Sequence, residues 1–218
     1  MKKNEQILLP TLAIPDSANY SLPDDSLLSF YTDLEERIFW VSDEINNYSL
    51  NLAHYILKWN REDSNIPVEK RKPIKLLIHS PGGELDIFRV LSDLIELSIT
   101  PVYGINLGNA YSAAGLILLS CHMRFGLKSS NVLFHKGSCD GISGSFSEVA
   151  AFMDEYEKQV AELSDVILKK TKFTKEEVEK NMNGDWYVSA EDCVKHGVYD
   201  KIITSIFEII GDEELVTK

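Results

Sequence analysis

Residues 74–83 read IKLLIHSPGG. Ile74 to Ile78 is a short apolar run of the kind that forms a buried strand. Ser80-Pro81-Gly82-Gly83 is a turn, and from Asp86 to Leu97 the apolar residues Ile87, Val90, Leu91, Leu94 and Ile95 mark one face of a helix. The pattern then repeats. Val102 to Asn106 reads as a strand, Ser112 to Leu119 as a helix of small and apolar residues, and Val132 to Phe134 as a strand that ends at His135. Strand, helix, strand, helix, strand predicts an α/β fold whose sheet is largely parallel, with crossover helices.

Working outward, Arg37 to Ser42 has the content of a further strand, and Ile45 to Asn60 spaces Leu50, Ala53, Ile56, Leu57 and Trp59 as a helix does. Arg61 to Pro73 is a polar loop, and residues 1–30 show no sustained period and read as an irregular arm. Downstream, Phe146, Val149, Met153, Tyr156, Val160, Leu163 and Ile167 alternate steps of three and four, a seam along one long helix. Such a seam packs either on its own domain or against another subunit. Thr174 with Glu177 forms a capping box, Ser189 caps a further helix, and Gly197 stops it. Lys201 to Ile210 supplies a last apolar strand or two.

The chain has 218 residues, 44% hydrophobic and 26% charged, which suits one substantial domain. The predicted division is an arm over 1–33, a domain over 34–210 with its long helix at about 146–171, and a tail over 211–218. No apolar run approaches the ~20 residues that a membrane span needs. Met1-Lys2-Lys3 is followed only by Ile7-Leu8-Leu9 before Pro10, too short for a signal core, so a cytoplasmic location is expected. A net charge of −12 argues against nucleic acid, and Lys70-Arg71-Lys72 reads as a solvated loop. Cys121, Cys139 and Cys193 form no CxxC, so neither a disulfide framework nor a zinc site is indicated, and no metal or cofactor is expected. They read as buried filler or, for one of them, a reactive thiol.

Acyl transfer needs a nucleophile, a base, a group that orients the base and donors for the oxyanion. Ser112 stands at a strand-to-helix junction among Gly108, Ala110, Ala113, Ala114 and Gly115. Small neighbours admit a substrate backbone, and a helix N-terminus favours developing negative charge. The same serine could equally be a plain N-cap. Gly82-Gly83 could aim a backbone N–H into a cleft or merely make the turn. His135 could be a base or a structural histidine. His54, His79, His122 and His196 lack metal-ligand spacing and read as non-catalytic.

Taken together, the order and register of these segments resemble the ClpP family, the proteolytic subunits of ATP-dependent Clp proteases. The resemblance continues through the long helix to Trp186-Tyr187-Val188-Ser189-Ala190-Glu191-Asp192 and His196-Gly197-Val198-Tyr199-Asp200, and covers about residues 34–204. It implies the ClpP/crotonase-like fold of stacked ββα units, with a protruding handle helix and assembly into two stacked rings, a tetradecamer. It further implies Ser112 as nucleophile, His135 as base, and Gly83 and Ala113 as oxyanion donors. Gly82, Gly141 and Ser143 would lie beside an extended peptide substrate. Unfolded polypeptides would arrive from an AAA+ Clp ATPase, in keeping with the lack of a phosphate-cradling loop here.

This chain departs from the pattern where the resemblance puts the triad's aspartate, because Asn181 stands there. An amide can accept a hydrogen bond from the histidine but brings no negative charge to the imidazolium. Asp185 is near, although the alignment gives it another position. His135 is followed by Lys136-Gly137 in place of the usual Gln-Pro, the glycine-rich segment is shortened, and the 61–73 loop is longer. Besides an active serine endopeptidase, the sequence therefore admits a structural subunit with a disabled triad. A crotonase-type acyl-CoA enzyme is a third option, disfavoured by the segment around Ser189.

Overall fold

The computed structural model describes residues 25–138 and 142–211. Helix α1 (Asp25–Glu35) leads into strand β1 (Ile38–Val41), helix α2 (Asn51–Glu62), β2 (Ile74–Ser80), α3 (Leu85–Leu97), β3 (Val102–Tyr111) and α4 (Ala113–Ser120). Then come β4 (Met123–Gly126), β5 (Asn131–Phe134), α5 (Phe146–Lys170), α6 (Lys175–Asn181), β6 (Trp186–Ser189), α7 (Ala190–Lys195), β7 (Lys201–Ile202) and α8 (Phe207–Ile210). The strands run β1-β2-β3-β4-β7, all parallel. β3 also pairs with β5 in parallel, and β5 pairs with β6 antiparallel.

Alternation along β2 sorts the two faces of the sheet. Ile74, Leu76 and Ile78 join the larger core, built with Leu52, Ile56 and Trp59 of α2, Leu91 and Ile95 of α3, and all of α4's large side chains. Leu77 joins a smaller cluster on the opposite face with Ile38, Ile105, Phe125, Ile203 and Ile209. There the buried Lys75 ammonium donates to the carbonyls of Ile209 and Gly211, at 2.8 and 2.7 Å, and so ties α8 to the sheet.

The α/β architecture is the one expected, with three differences in detail. Asp25–Glu35 is helical where an irregular arm was expected. β4 and β6 are strands that the hydrophobic pattern did not mark. Lys201 to Ile210 gives a two-residue strand and then a helical turn, because the Glu208 carboxylate accepts from the N–H groups of Thr204 and Ser205 and ends the strand.

The long helix packs on the chain's own core along its second half. Leu163 and Ile167 are buried in the chain's own core, while Phe146, Phe152 and Met153 stay exposed near its start. The predicted capping box forms at α6, where Thr174 accepts from Glu177 N–H, and a second, which the sequence reading had not marked, stands at the start of α5, where Ser145 accepts from Glu148 N–H. Ser189 caps α7. The 61–73 loop is held by Arg37, which donates to both Asp63 oxygens, at 2.6 and 3.0 Å, and to Lys72 O. Burial alone would raise the Asp63 carboxyl, but hydrogen bonds from Arg37 and Thr100 hold it below its ordinary value.

Among the described residues no helix is long and apolar enough to cross a membrane. Cys121 and Cys193 are buried, which pushes each thiol up to about 12 and leaves it protonated at neutral pH. Cys139 lies outside the described residues.

Candidate active site

Ser112 follows β3 directly and caps α4 with φ 53° and ψ −125°. A positive φ costs a side-chain-bearing residue roughly 1–3 kcal/mol, and it persists only where the surroundings impose it. Here they do. Ser112 N–H donates to Leu133 O at 2.8 Å, and Leu116 N–H donates back to Ser112 O. Gly82 faces the bend so closely that a Cβ there would lie 2.5 Å from Tyr111 O and 2.7 Å from the Ser112 Cβ. The small residues of this stretch are thus a packing requirement, and the bend turns the serine out of the core.

His135 is the first residue after β5, and its Nε2 lies 2.8 Å from Ser112 Oγ. Both side chains open on a cleft of about 270 Å³ that Gly82, Gly83, Leu85, Leu116 and Met182 also line. The structure therefore gathers Ser112, His135, Gly82 and Gly83 in one place, with Ala113 beginning the helix behind the serine. Ser143 is exposed and is not among the residues lining this cleft, whereas Gly137 and Ser138 are. Gly141 lies outside the described residues. None of the other histidines lines it either. His79 and His122 accept from backbone N–H groups, and His196 stacks on Phe173.

The orienting position departs from the alignment. Asn181 closes the last turn of α6, and its amide donates to Glu177 O at 2.8 Å, one helical turn back, not to His135. The group facing His135 Nδ1 is Asp185, whose Oδ1 is 3.3 Å away. The reason lies in strand pairing. β5 and β6 run antiparallel with Phe134 opposite Trp186, and one more step of that register sets position 135 opposite 185. Two contacts support this end of the cleft: Tyr156 of α5 donates to Lys136 O, and the Lys136 ammonium donates to Asn183 Oδ1. Reading Trp186-Tyr187-Val188-Ser189 as a strand against Asn131–Phe134 is the signal that would have selected Asp185.

The comparisons with known proteins bear on the family and the fold. The family model described as Clp protease matches residues 26–206. The chain belongs to the Clp protease family. It is 31% identical to the ATP-dependent Clp protease proteolytic subunit 2 of Treponema pallidum over 176 residues, 80% of this chain and 85% of that one. It is 34% identical to the subunit of the same name from Treponema denticola over 133 residues, 60% of this chain and 66% of that one. Among solved structures, an Asn-to-Asp mutant of ClpP1 from Listeria monocytogenes shares the fold, with a TM-score of 0.69 at 19% identity over 82% of this chain and 97% of that one. This Clp protease family chain is accordingly a ClpP-type peptidase subunit by descent, which removes the acyl-CoA reading.

Proposed function

We propose that the chain is an active serine endopeptidase subunit in which Ser112 attacks, His135 shuttles the proton and Asp185 orients the histidine. The observation that carries this reading is the 2.8 Å contact between His135 Nε2 and a serine held at positive φ on a cleft. With Nδ1–H turned to Asp185, Nε2 accepts the Ser112 proton as Oγ adds to the scissile carbonyl. The oxyanion forms beside the backbone N–H groups of Gly83 and Ala113, at the positive end of α4. The imidazolium then gives its proton to the leaving amine. Water, deprotonated by the same nitrogen, cleaves the acyl-enzyme.

In this reading the substrate is an extended, unfolded polypeptide lying along the segment that follows His135, through Ser143. The projecting start of α5, with Phe146, Phe152 and Met153 exposed, supplies an apolar face for a second copy of the chain in stacked, tetradecameric rings. The partner that unfolds and feeds substrates is an AAA+ Clp ATPase. An apolar groove lined by Trp40, Leu77, Leu107, Leu127 and Ile206 on the outer face of the sheet gives it a surface to meet. The assembly works in the cytoplasm and needs no cofactor of its own.

A second reading, a structural subunit with a disabled triad, draws on Asn181 and on the exposure of Asp185. One experiment separates the two. The purified protein is treated with a fluorophosphonate probe and given a short fluorogenic peptide, beside Ser112→Ala. Covalent labelling and hydrolysis in the wild type, both abolished in Ser112→Ala, support the peptidase. An assembled wild type that neither labels nor cleaves supports the structural subunit.

A further inference from the structure

β3 changes neighbour part-way along its length. From Tyr103 to Asn106 it pairs with Met123–Gly126 of β4, and from Asn109 to Tyr111 it pairs with Asn131–Leu133 of β5. A forked sheet leaves backbone groups in the crotch without ladder partners, and those groups must be satisfied some other way. Asn106 sits at that fork, fully buried. Its Nδ2 donates to Asn131 O at 2.8 Å and to the Tyr199 hydroxyl at 2.7 Å, while its Oδ1 accepts from Gly108 N–H at 3.0 Å.

The network continues behind it. The Tyr199 hydroxyl is 2.9 Å from Ser130 Oγ, which donates to Leu127 O at 2.7 Å. Donation from Asn106 to Tyr199, from Tyr199 to Ser130 and from Ser130 to the carbonyl uses each hydroxyl proton once. Asn106, Ser130 and Tyr199 are all buried. Gly126 makes the room, since a Cβ there would lie 2.3 Å from the Tyr199 ring. One side chain thus joins β3 at Gly108 to β5 at Asn131, immediately before the stretch where these two strands pair. That stretch delivers Ser112 from the end of β3 and His135 from the end of β5.

We propose that Asn106, backed by Tyr199, is a positioning residue for the Ser112–His135 pair: it touches neither, but holds together the two strands that carry them. The inference rests on the serine-peptidase reading and adds a residue to it. A buried polar network that served stability alone would change how much protein folds, not the chemistry of each folded subunit.

The test uses the full-length assembled protein with Asn106→Leu, which removes donor and acceptor at similar volume, and Tyr199→Phe, which removes only the hydroxyl. Fluorophosphonate labelling rates per folded subunit are measured across pH, together with kcat and KM for a fluorogenic peptide. Asn106→Leu is expected to lower the labelling rate and kcat roughly 10- to 100-fold with KM within about twofold, as a small misplacement of reacting groups does. Tyr199→Phe is expected to show a smaller loss in the same direction. Variants that melt earlier but label at the wild-type rate, with the same pH midpoint, overturn the proposal. If Asn106→Leu does not fold, Tyr199→Phe decides by the same criterion. A wild type that is itself unlabelled counts against the peptidase reading instead. The crystal structure of the variant then decides: a Ser112–His135 separation widened beyond hydrogen-bond reach supports the positioning role, and an unchanged one overturns it.

Discussion

Ser112 caps a helix whose residues Ala113 to Ser120 are all buried, whereas His135 and Asp185 meet near the surface, with side chains 28% and 58% exposed. Ser112 is held by backbone. A strand, a helix and the turn at Gly82 converge on it, and the local bend has no room to relax. His135 is held by side chains, through one carboxylate at 3.3 Å and the two contacts around Lys136. A serine built this way should respond to substitution all or none. A histidine built this way should respond by degrees, and its support should be open to solvent and salt.

The largest effect is expected on the serine side. Gly82→Ala puts a Cβ against Tyr111 O and the Ser112 side chain at a backbone φ of +96° that alanine resists. Peptide hydrolysis should fall roughly 10²- to 10³-fold, because the elbow and the oxyanion donors move together. Measured kcat/KM beside thermal unfolding checks this. An active, normally folded Gly82→Ala enzyme would show that the bend is looser than its geometry implies.

On the histidine side, Asp185→Asn should cost about 10- to 100-fold in kcat. That is less than the ~10⁴ of a buried triad aspartate, because solvent screens this pair and shares its work. The gap between wild type and Asp185→Asn should also narrow as salt rises from 0.05 to 0.5 M, when exposed charges lose reach. A loss that is large and insensitive to salt would mean that the assembled protein buries Asp185, and the contrast between the two sides would vanish.

The same contrast explains what could be read in the sequence. The buried strands and the Ser112 elbow were legible because their signals are local: a short apolar run, a period of 3.6, a cluster of small residues beside a serine. α1 was not, since its apolar residues Leu27, Leu28, Phe30 and Tyr31 remain exposed and define no core face. β4 was missed because four residues that include Arg124 carry too little pattern. Asp185 is the instructive case. Its contact with His135 depends on the register between β5 and β6, a non-local fact, whereas the resemblance to a familiar motif pointed to Asn181. Asn106 depends on a fork in the sheet, which no linear pattern announces.

The smallest effect is expected at Asn181, and its sign matters more than its size. Asn181→Asp removes the amide that donates to Glu177 O and puts a carboxylate beside the carbonyl end of α6. A negative charge there opposes the helix dipole by about 0.3–1 kcal/mol, so the variant should be slightly less stable than wild type. Its kcat should stay within about twofold, since that side chain faces its own helix while Asp185 is the group that meets His135. Steady-state hydrolysis on the wild type, Asn181→Asp, Asp185→Asn and the double variant resolves the matter. If Asn181→Asp raises the rate and rescues Asp185→Asn, position 181 swings to the histidine during turnover and the Asp185 contact belongs to a resting arrangement. If it does neither, the orienting acid is Asp185, the residue just before β6, and the Asn at the motif position is a helix-end residue that catalysis does not use.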